Sequence, residues 1–464
     1  MNGSRLLKPL SVFIVSTLIT GCASVMQKQQ LNGFEKQLQS GQVAEATNTA
    51  VKLSAVKPET GKPTDILWSL QAGSLLRTQG EYAKSTEYFD DAEAIMKMED
   101  TESTAENIGE GIGSLIINDS ALAYEQSVYD GIMANTYKAM NFVAEDDIQN
   151  ARIEWNRVDD RQRRAANEFS KQISTMKESQ QEQEGDYAKL IGKSLEESNK
   201  VLEANGFNTS DWAPYKDYVN PFSTYMHGLF FMLYAQTPSD YSKAYDSMKR
   251  AYGMSSIPAV KTDLGMARDL MNGTSIQRYR PAVWVIYENG LSVKKKEVRI
   301  DLPLFLVSDD VLYTGVALPK LEEREGAWSS LQVGATRTES VASMDKIIQA
   351  EFKAELPYVV AKEITRATLK TVAQSKASEQ SDSLAQVAAI FQAVTTSADT
   401  RMWTSLPKDF QIARIRKTSD QLTLKAEGMA EPIKVQLDKD SRFSVVYVRA
   451  FSANQSPMVE VINI

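Results

Sequence analysis

The stretch "GSLLRTQGEYAKSTEYFDDAEAI", Gly73 to Ile95, decides how the first half of this 464-residue chain folds. Small and large residues fall in it at helical spacing. Gly73 is a small site where one helix can approach another closely, and Gly80 and Tyr82 make the turn and the start of a second helix. Ser85, Phe89 and Ala92 then share one face of that second helix, at steps of four and three. Small residues let two helices close up, and a large one between them fills the gap. The pattern predicts a tight helix hairpin.

Looser copies of the spacing lie on both sides. "GQVAEATNTAVK" carries Gly41, Val43, Ala46 and Ala50; "DDIQNARIEWNRV" carries Ala151, Trp155 and Val158; "SDYSKAYDSMKRAY" carries Tyr241, Ala244, Met248 and Ala251. From about residue 27 to 270 the apolar residues keep helical spacing with few β-rich runs. The Gly73 window resembles a tetratricopeptide repeat, a helix pair of about 34 residues, with Trp68 one position ahead of the family's usual aromatic site. The resemblance implies a TPR-like α-helical domain over 31–273 whose stacked pairs offer a concave face to a protein partner. A generic helical bundle with matching faces is the alternative, because the steps between copies are irregular.

Near residue 275 the period changes. "AVWVIYENGLSV" is apolar, β-branched and aromatic, and its Asn289-Gly290 is a strong hairpin signal. "KEVRIDLPLFLV" and "VLYTGVAL" read as further strands. Helix returns in "MDKIIQAEFKAELPYVVAKEITRATLKTVAQSK", with Pro357 opening a second piece, and in "DSLAQVAAIFQAVTT". The chain finishes in strands, among them "DFQIARIRK", "FSVVYVRAF" and "VEVINI". Strands on either side of a helical insertion predict an α+β fold, with a β-sandwich-like sheet in a C-terminal domain over 274–464.

The chain opens with the three-part build of a secretory signal over 1–21: Arg5 and Lys8, the short apolar core "LSVFIVSTLI", then small residues before Cys22. That core is too short to cross a bilayer, which takes about 20 residues in a helix. Ile19-Thr20-Gly21-Cys22 resembles the lipobox of bacterial lipoproteins. The resemblance implies cleavage before Cys22, diacylglycerol on its sulfur, an acylated amine, and a lipidated tether over 22–30. Each buried CH₂ contributes about 0.8 kcal/mol, so two or three chains anchor a protein firmly. Ala23 is not the aspartate that retains many such proteins at the inner membrane. The expected location is therefore the periplasmic face of the outer membrane. An ordinary secretory signal with a chance cysteine is the other reading.

Bulk chemistry narrows the function classes. Apolar residues make up 42% and charged ones 24%, the mix of an ordinary globular protein, and the net charge of −8 argues against a general nucleic-acid binder. One cysteine allows no internal disulfide, and one histidine allows no zinc site of the usual His/Cys types. His227, inside the apolar "STYMHGLFFML", reads as a packed residue. "IGEGIGS", Ile108 to Ser114, lacks the Lys-Ser/Thr of a phosphate loop. Arg157, Arg161, Arg163 and Arg164, interleaved with Asp159 and Asp160, read as a solvated helix face with local ion pairs. Glu178-Ser179 and Glu197-Ser198 lie in polar surroundings, unlike the glutamate–serine motif of lytic transglycosylases. No catalytic residue, metal or cofactor is expected from these patterns, although carboxylates are plentiful enough to keep a glycosidase-like pair open.

The string "ADTRMWTSLP", Ala398 to Pro407, together with "NDSALAYEQSVYDGIMANTYKAMNF" and "ENGLSV", resembles a family of bacterial periplasmic lipoproteins. Its members join a tetratricopeptide-like half to a mixed C-terminal domain and are often encoded beside activators of penicillin-binding proteins. The resemblance implies a non-enzymatic scaffold for protein–protein interaction in cell-envelope assembly or peptidoglycan-synthesis regulation. Its partner would be a periplasmic or outer-membrane protein. Asp399, Arg401 and Trp403 are candidates for its interaction surface. The alternative for these three is that Asp399 caps a turn, Arg401 pairs with it, and Trp403 and Leu406 plug the helix–sheet junction. For the whole chain, the competing expectation is an envelope glycan-modifying enzyme that uses carboxylates.

Overall fold

The computed structural model describes residues 26–54, 64–102, 124–184, 188–207, 219–307, 310–378 and 397–464. Its first part is helical: α1 (26–39), α2 (Val43–Leu53), α3 (Ile66–Thr78), α4 (Tyr82–Glu102) and α5 (Val128–Ala144). There follow α6 (Ile148–Glu184), α7 (Ala188–Ala204), α8 (Pro221–Leu233), α9 (Pro238–Ser255) and α10 (Pro258–Met271). Side chains fix where these helices start. The Asp65 carboxylate accepts the Trp68 amide at 2.9 Å, and Asn220 accepts those of Phe222 and Ser223, with Pro221 preset in the first turn. Ser127 with Asp130 and Thr237 with Asp240 form capping boxes at α5 and α9.

The Gly73 window is the α3–α4 hairpin. A Cβ on Gly73 would stand 2.8 Å from the Phe89 ring, so only glycine admits this approach. Ser85 donates to the Gly73 carbonyl at 2.6 Å, tying the second helix to the first. Ala46 and Ala50 on α2, Ala151, Trp155 and Val158 on α6, and Ala244, Met248 and Ala251 on α9 are all buried.

The second part is mixed, so the chain is α+β. Strand β1 (Ala282–Asn289) lies in the middle of a five-stranded sheet. Around it come β2 (Lys294–Val307), β3 (Asp310–Glu322), β4 (Gln332–Val333), β5 (Thr336–Arg337) and β6 (Glu339–Ser343). Helix α11 (Met344–Ser378) precedes β7 (Asp409–Arg416), β8 (Gln421–Lys425), β9 (Ile433–Gln436), β10 (Phe443–Ala450) and β11 (Met458–Asn463). The large sheet runs β11-β10-β1-β7-β6, with β1 parallel to β10 and antiparallel to β7. A smaller sheet runs β5-β4-β8-β9, and β2 and β3 form a hairpin of their own.

Every residue of β1 and β10 is buried, because both faces of the large sheet are covered. That burial explains the unbroken apolar run of "AVWVIY". One face, with Trp284, Ile286, Ile412, Val445 and Tyr447, packs on the helices in a core that reaches back to Ile66 on α3. The opposite face, with Val283, Val285, Val446 and Val448, packs on Val333, Leu424 and Val435 of the small sheet. Helix α11 covers the β2–β3 hairpin through Phe352, Leu356, Val360 and Ile364.

Two local expectations fail. Asn289-Gly290 is no hairpin turn: β1 pairs with β7 and β10, while β2 pairs with β3. The Asn289 side chain accepts the Ala327 amide at 2.7 Å and donates to Asp409 at 2.9 Å, and Gly290, at φ +60°, admits Gly326 where a Cβ would clash. The dipeptide thus clamps a crossing loop. Pro357 opens no new helix, since α11 runs through it from Met344 to Ser378. The Ile108–Ser114 and "DSLAQVAAIFQAVTT" stretches lie outside the described residues. Among the described residues no helix is long and apolar enough to cross a membrane.

Candidate functional site: a charge-paired seam between helices and sheet

Helix α3 is buried on nearly its whole circumference, and in its last turn Arg77 projects into the seam between the helices and the large sheet. There its guanidinium donates to Asn141 Oδ1 at 2.8 Å, pairs with Glu460 of β11 at 3.4 Å, and lies 4.9 Å from the centre of the Tyr447 ring. A second pair lies beside it. Arg449 of β10 meets Glu288 of β1 at 3.3 Å, with both side chains almost wholly buried. Arg449 also donates to the carbonyls of Gly290 at 2.6 Å, Ala450 at 3.0 Å and Ser405 at 3.1 Å. Burial raises the Glu288 carboxyl above its ordinary range, while Arg449, Tyr447, Arg77 and Tyr137 all oppose it. Two arginines and two glutamates leave the seam close to neutral. That balance is what lets four ionisable groups share a buried space.

The seam opens into an apolar cleft of about 480 Å³, mouth included, between α5, α6 and α8 on one side and β10–β11 on the other. Met140, Trp155, Leu229, Phe230, Val445 and Ile462 supply its apolar walls, and Arg77 and Glu460 are the charged residues that line it. Two buried donors at its lining, Arg77 Nε and Trp155 Nε1, lack a hydrogen-bond partner among the described residues. An apolar cleft with a few convergent polar groups suits binding better than bond-breaking.

The 399–406 segment is stitched into the same junction. Trp403 has no exposed surface; its indole donates to Ser405 at 3.0 Å and Ser74 at 3.2 Å, and its ring lies on Phe89 and Tyr137. Gln71 of α3 donates to Met402 O and Thr404 Oγ1 and accepts the Ser405 amide at 3.1 Å. Arg401 grips Asp399 from Nε at 3.0 and 3.1 Å and from Nη2 at 2.7 Å, and lies over Tyr124. Asp399 also accepts the Arg401 amide, capping the turn. Only Asp399 keeps appreciable exposure, 30% of its side chain against 6% for Arg401. Trp403 and Arg401 are buried in the junction, while Asp399 remains partly exposed beside them. The indole fills the gap between α3, α4 and α5. Cys22 lies outside the described residues.

A second polar cluster sits at the start of α5. Asp130 accepts the Ser127 amide at 2.9 Å and the Tyr124 hydroxyl at 2.8 Å, and its carboxyl is pushed up to about 7 by burial, with Glu355 adding to the effect. Glu351 of α11 accepts the Val128 amide at 2.7 Å, and burial together with Glu355 raises it well above the carboxylate range. Lys295 is the cation facing all three, and it opposes each rise. Carboxyls that hold protons near neutrality can act as general acids. Among the described residues, however, no group of three or more His, Cys, Asp or Glu is placed to hold a metal ion.

His227 is buried against Phe231, with Ser247 at 2.9 Å from Nδ1, and burial lowers its imidazole to about 4. It stays neutral near pH 7. The basic cluster on α6 is mostly local, as in Arg163–Asp159 and Arg164–Glu168, but Arg161 reaches across to Glu93 of α4.

Sequence reasoning passed over Arg77, Glu288, Arg449 and Glu460. One signal was there to read: Glu288 and Arg449 interrupt otherwise apolar strands, where a charge needs an inward partner. Asp130 was also readable, as the third residue after Ser127 at a helix start. The chain matches no family model, no curated protein and no solved structure.

Proposed function

We propose that the chain is an outer-membrane-anchored periplasmic lipoprotein that serves as a protein–protein interaction scaffold in cell-envelope assembly or peptidoglycan-synthesis regulation. The observation that carries the scaffold reading is the helix hairpin closed on a glycine. In α3–α4 a Cβ on Gly73 would stand 2.8 Å from Phe89, closer than a side chain allows, and in α8–α9 Gly228 lies tightly against Met248, which a Cβ would meet at 3.2 Å. Such hairpins are the building unit of TPR-like arrays, whose work is to hold partners. The "LITGCAS" string, Leu18 to Ser24, supports lipid attachment at Cys22. Mass spectrometry of native material should find an acylated amine and a diacylglycerol thioether at Cys22; a bare thiol there removes the location. Crosslinking from the tethered chain in living cells should recover the same envelope protein in repeated trials. Recovery of lipid or glycan alone would speak against a scaffold.

One observation favours a second reading, an envelope glycan-modifying enzyme: Asp130 and Glu351 are carboxyls with raised proton affinity, in contact with the same helix start. Purified peptidoglycan turned over by the protein, with activity lost in Asp130→Asn and Glu351→Gln, would establish it.

A further inference from the structure

We infer that the edge of β11 that no described strand pairs with takes up an extended segment of a partner protein as a sixth strand, with one of that segment's apolar side chains entering the cleft beside it. The inference rests on the scaffold reading and names the surface that does the binding.

Strand β11 ends the large sheet, and no described strand pairs with its outer side. Its register tells which backbone groups are free. Ile464 and Phe443 exchange both hydrogen bonds, at 2.8 and 2.9 Å, so they form a bonded pair. In an antiparallel ladder bonded and non-bonded pairs alternate. Ile462, Glu460 and Met458 therefore face β10 with their N–H and C=O groups, while those of Val459, Val461 and Asn463 point away from it. Three residues in a row on alternate positions offer donors and acceptors at strand spacing, and a β-strand is the structure that satisfies them together.

Charge fits the same occupant. Glu460 is the one charged residue in β11, and it turns inward to Arg77, so the outer edge carries neither a lysine nor an outward carboxylate to repel a neighbour. The cleft walls are apolar and their Arg77–Glu460 pair is self-neutralising, which suits an uncharged strand with aliphatic or aromatic residues at alternate positions.

The test uses the full chain and a fluorescent synthetic peptide of alternating valine and threonine, with a scrambled peptide of the same composition as control. Val461→Pro removes one outward N–H and leaves the β10–β11 bonds in place, since proline is tolerated on the solvent side of an edge strand. Val143→Trp puts a larger side chain on the α5 wall of the cleft and leaves the β11 backbone unchanged. Anisotropy titration should show the alternating peptide binding, and each variant weakening it by about tenfold or more. Unchanged thermal melting would show that both variants fold; if Val461→Pro does not, Val143→Trp and the scrambled peptide decide. Equal binding of both peptides, or undiminished binding by a folded variant, overturns the inference. So does a dimer of the unliganded chain that Val461→Pro dissolves, because the occupant is then a second copy. If the envelope partner is still crosslinked by the Val461→Pro chain, the edge assignment fails and the scaffold reading stands. If the unmodified chain crosslinks no partner, the scaffold reading itself fails.

Discussion

The two buried polar clusters are built from the same kinds of side chain and differ in charge balance. In the seam, Arg77 and Arg449 meet Glu460 and Glu288, and each charge named as acting on Glu288 opposes the rise that burial causes. At the start of α5, Asp130, Glu351 and Glu355 face Lys295, and Glu355 pushes the other two further up. The lesson concerns where the cost of burial goes. Cations facing a buried carboxyl limit the rise that burial causes, as at Glu288, whereas neighbouring carboxylates add to it, as at Glu351. The seam accordingly joins α3 to the C-terminal strands, and the α5 cluster is where pH acts.

The sharpest break in that comparison is Arg449→Met. It removes the cation paired with Glu288 and the guanidinium donor of the Glu288, Gly290, Ala450 and Ser405 carbonyls, and should destabilise the fold by about 3–5 kcal/mol, read from denaturant midpoints. If the loss is no larger than that of an ordinary surface substitution, the seam is not a balanced cluster.

Asp130 and Glu351 yield a smaller effect with a definite sign. Both hold protons more tightly in the folded chain than in the unfolded one. Their contribution is complete below the ordinary carboxylate range and is lost as pH rises through about 7 for Asp130. Asp130→Asn should flatten this decline, with a gain on the order of 1 kcal/mol relative to the parent at alkaline pH. Denaturation midpoints taken across the neutral range would show it, and a parent whose stability climbs with pH there would refute the cluster's role. His227 works the opposite way. Its depressed imidazole contributes above its unfolded range and loses that contribution as pH falls toward about 4.

The smallest expected change comes from Lys295→Met. This half-buried lysine lowers all three carboxyls, so its loss should move the pH at which stability declines upward by about half a unit or less. A downward shift would mean that another cation governs the cluster.

Much of the fold could be read from local pattern. Gly73 with Phe89 marked the hairpin because close approach and gap filling are set by residue size, whatever lies around them. "AVWVIYEN" marked a strand covered on both faces, and Ser127 with Asp130 marked a helix start. Asn289-Gly290 misled because a turn signal is local, while its use depends on which strand comes back beside β1. Trp403 was visible as an unusual residue, but its burial depends on α3, α4 and α5 meeting around it.

Sequence alone determined the helical first part, the change to strands near residue 275, the net acidic character, and the Cys22 string on which the proposed address rests. These follow from periodicity, charge and short motifs, which need no knowledge of distant residues. Tertiary structure alone decided that Arg77 would meet Glu460 across 383 positions of chain, that β1 would lie parallel to β10, and that β11 would end the sheet. Each is a long-range pairing, and buried charges find their partners through the packing that brings separate segments together, which no local window contains.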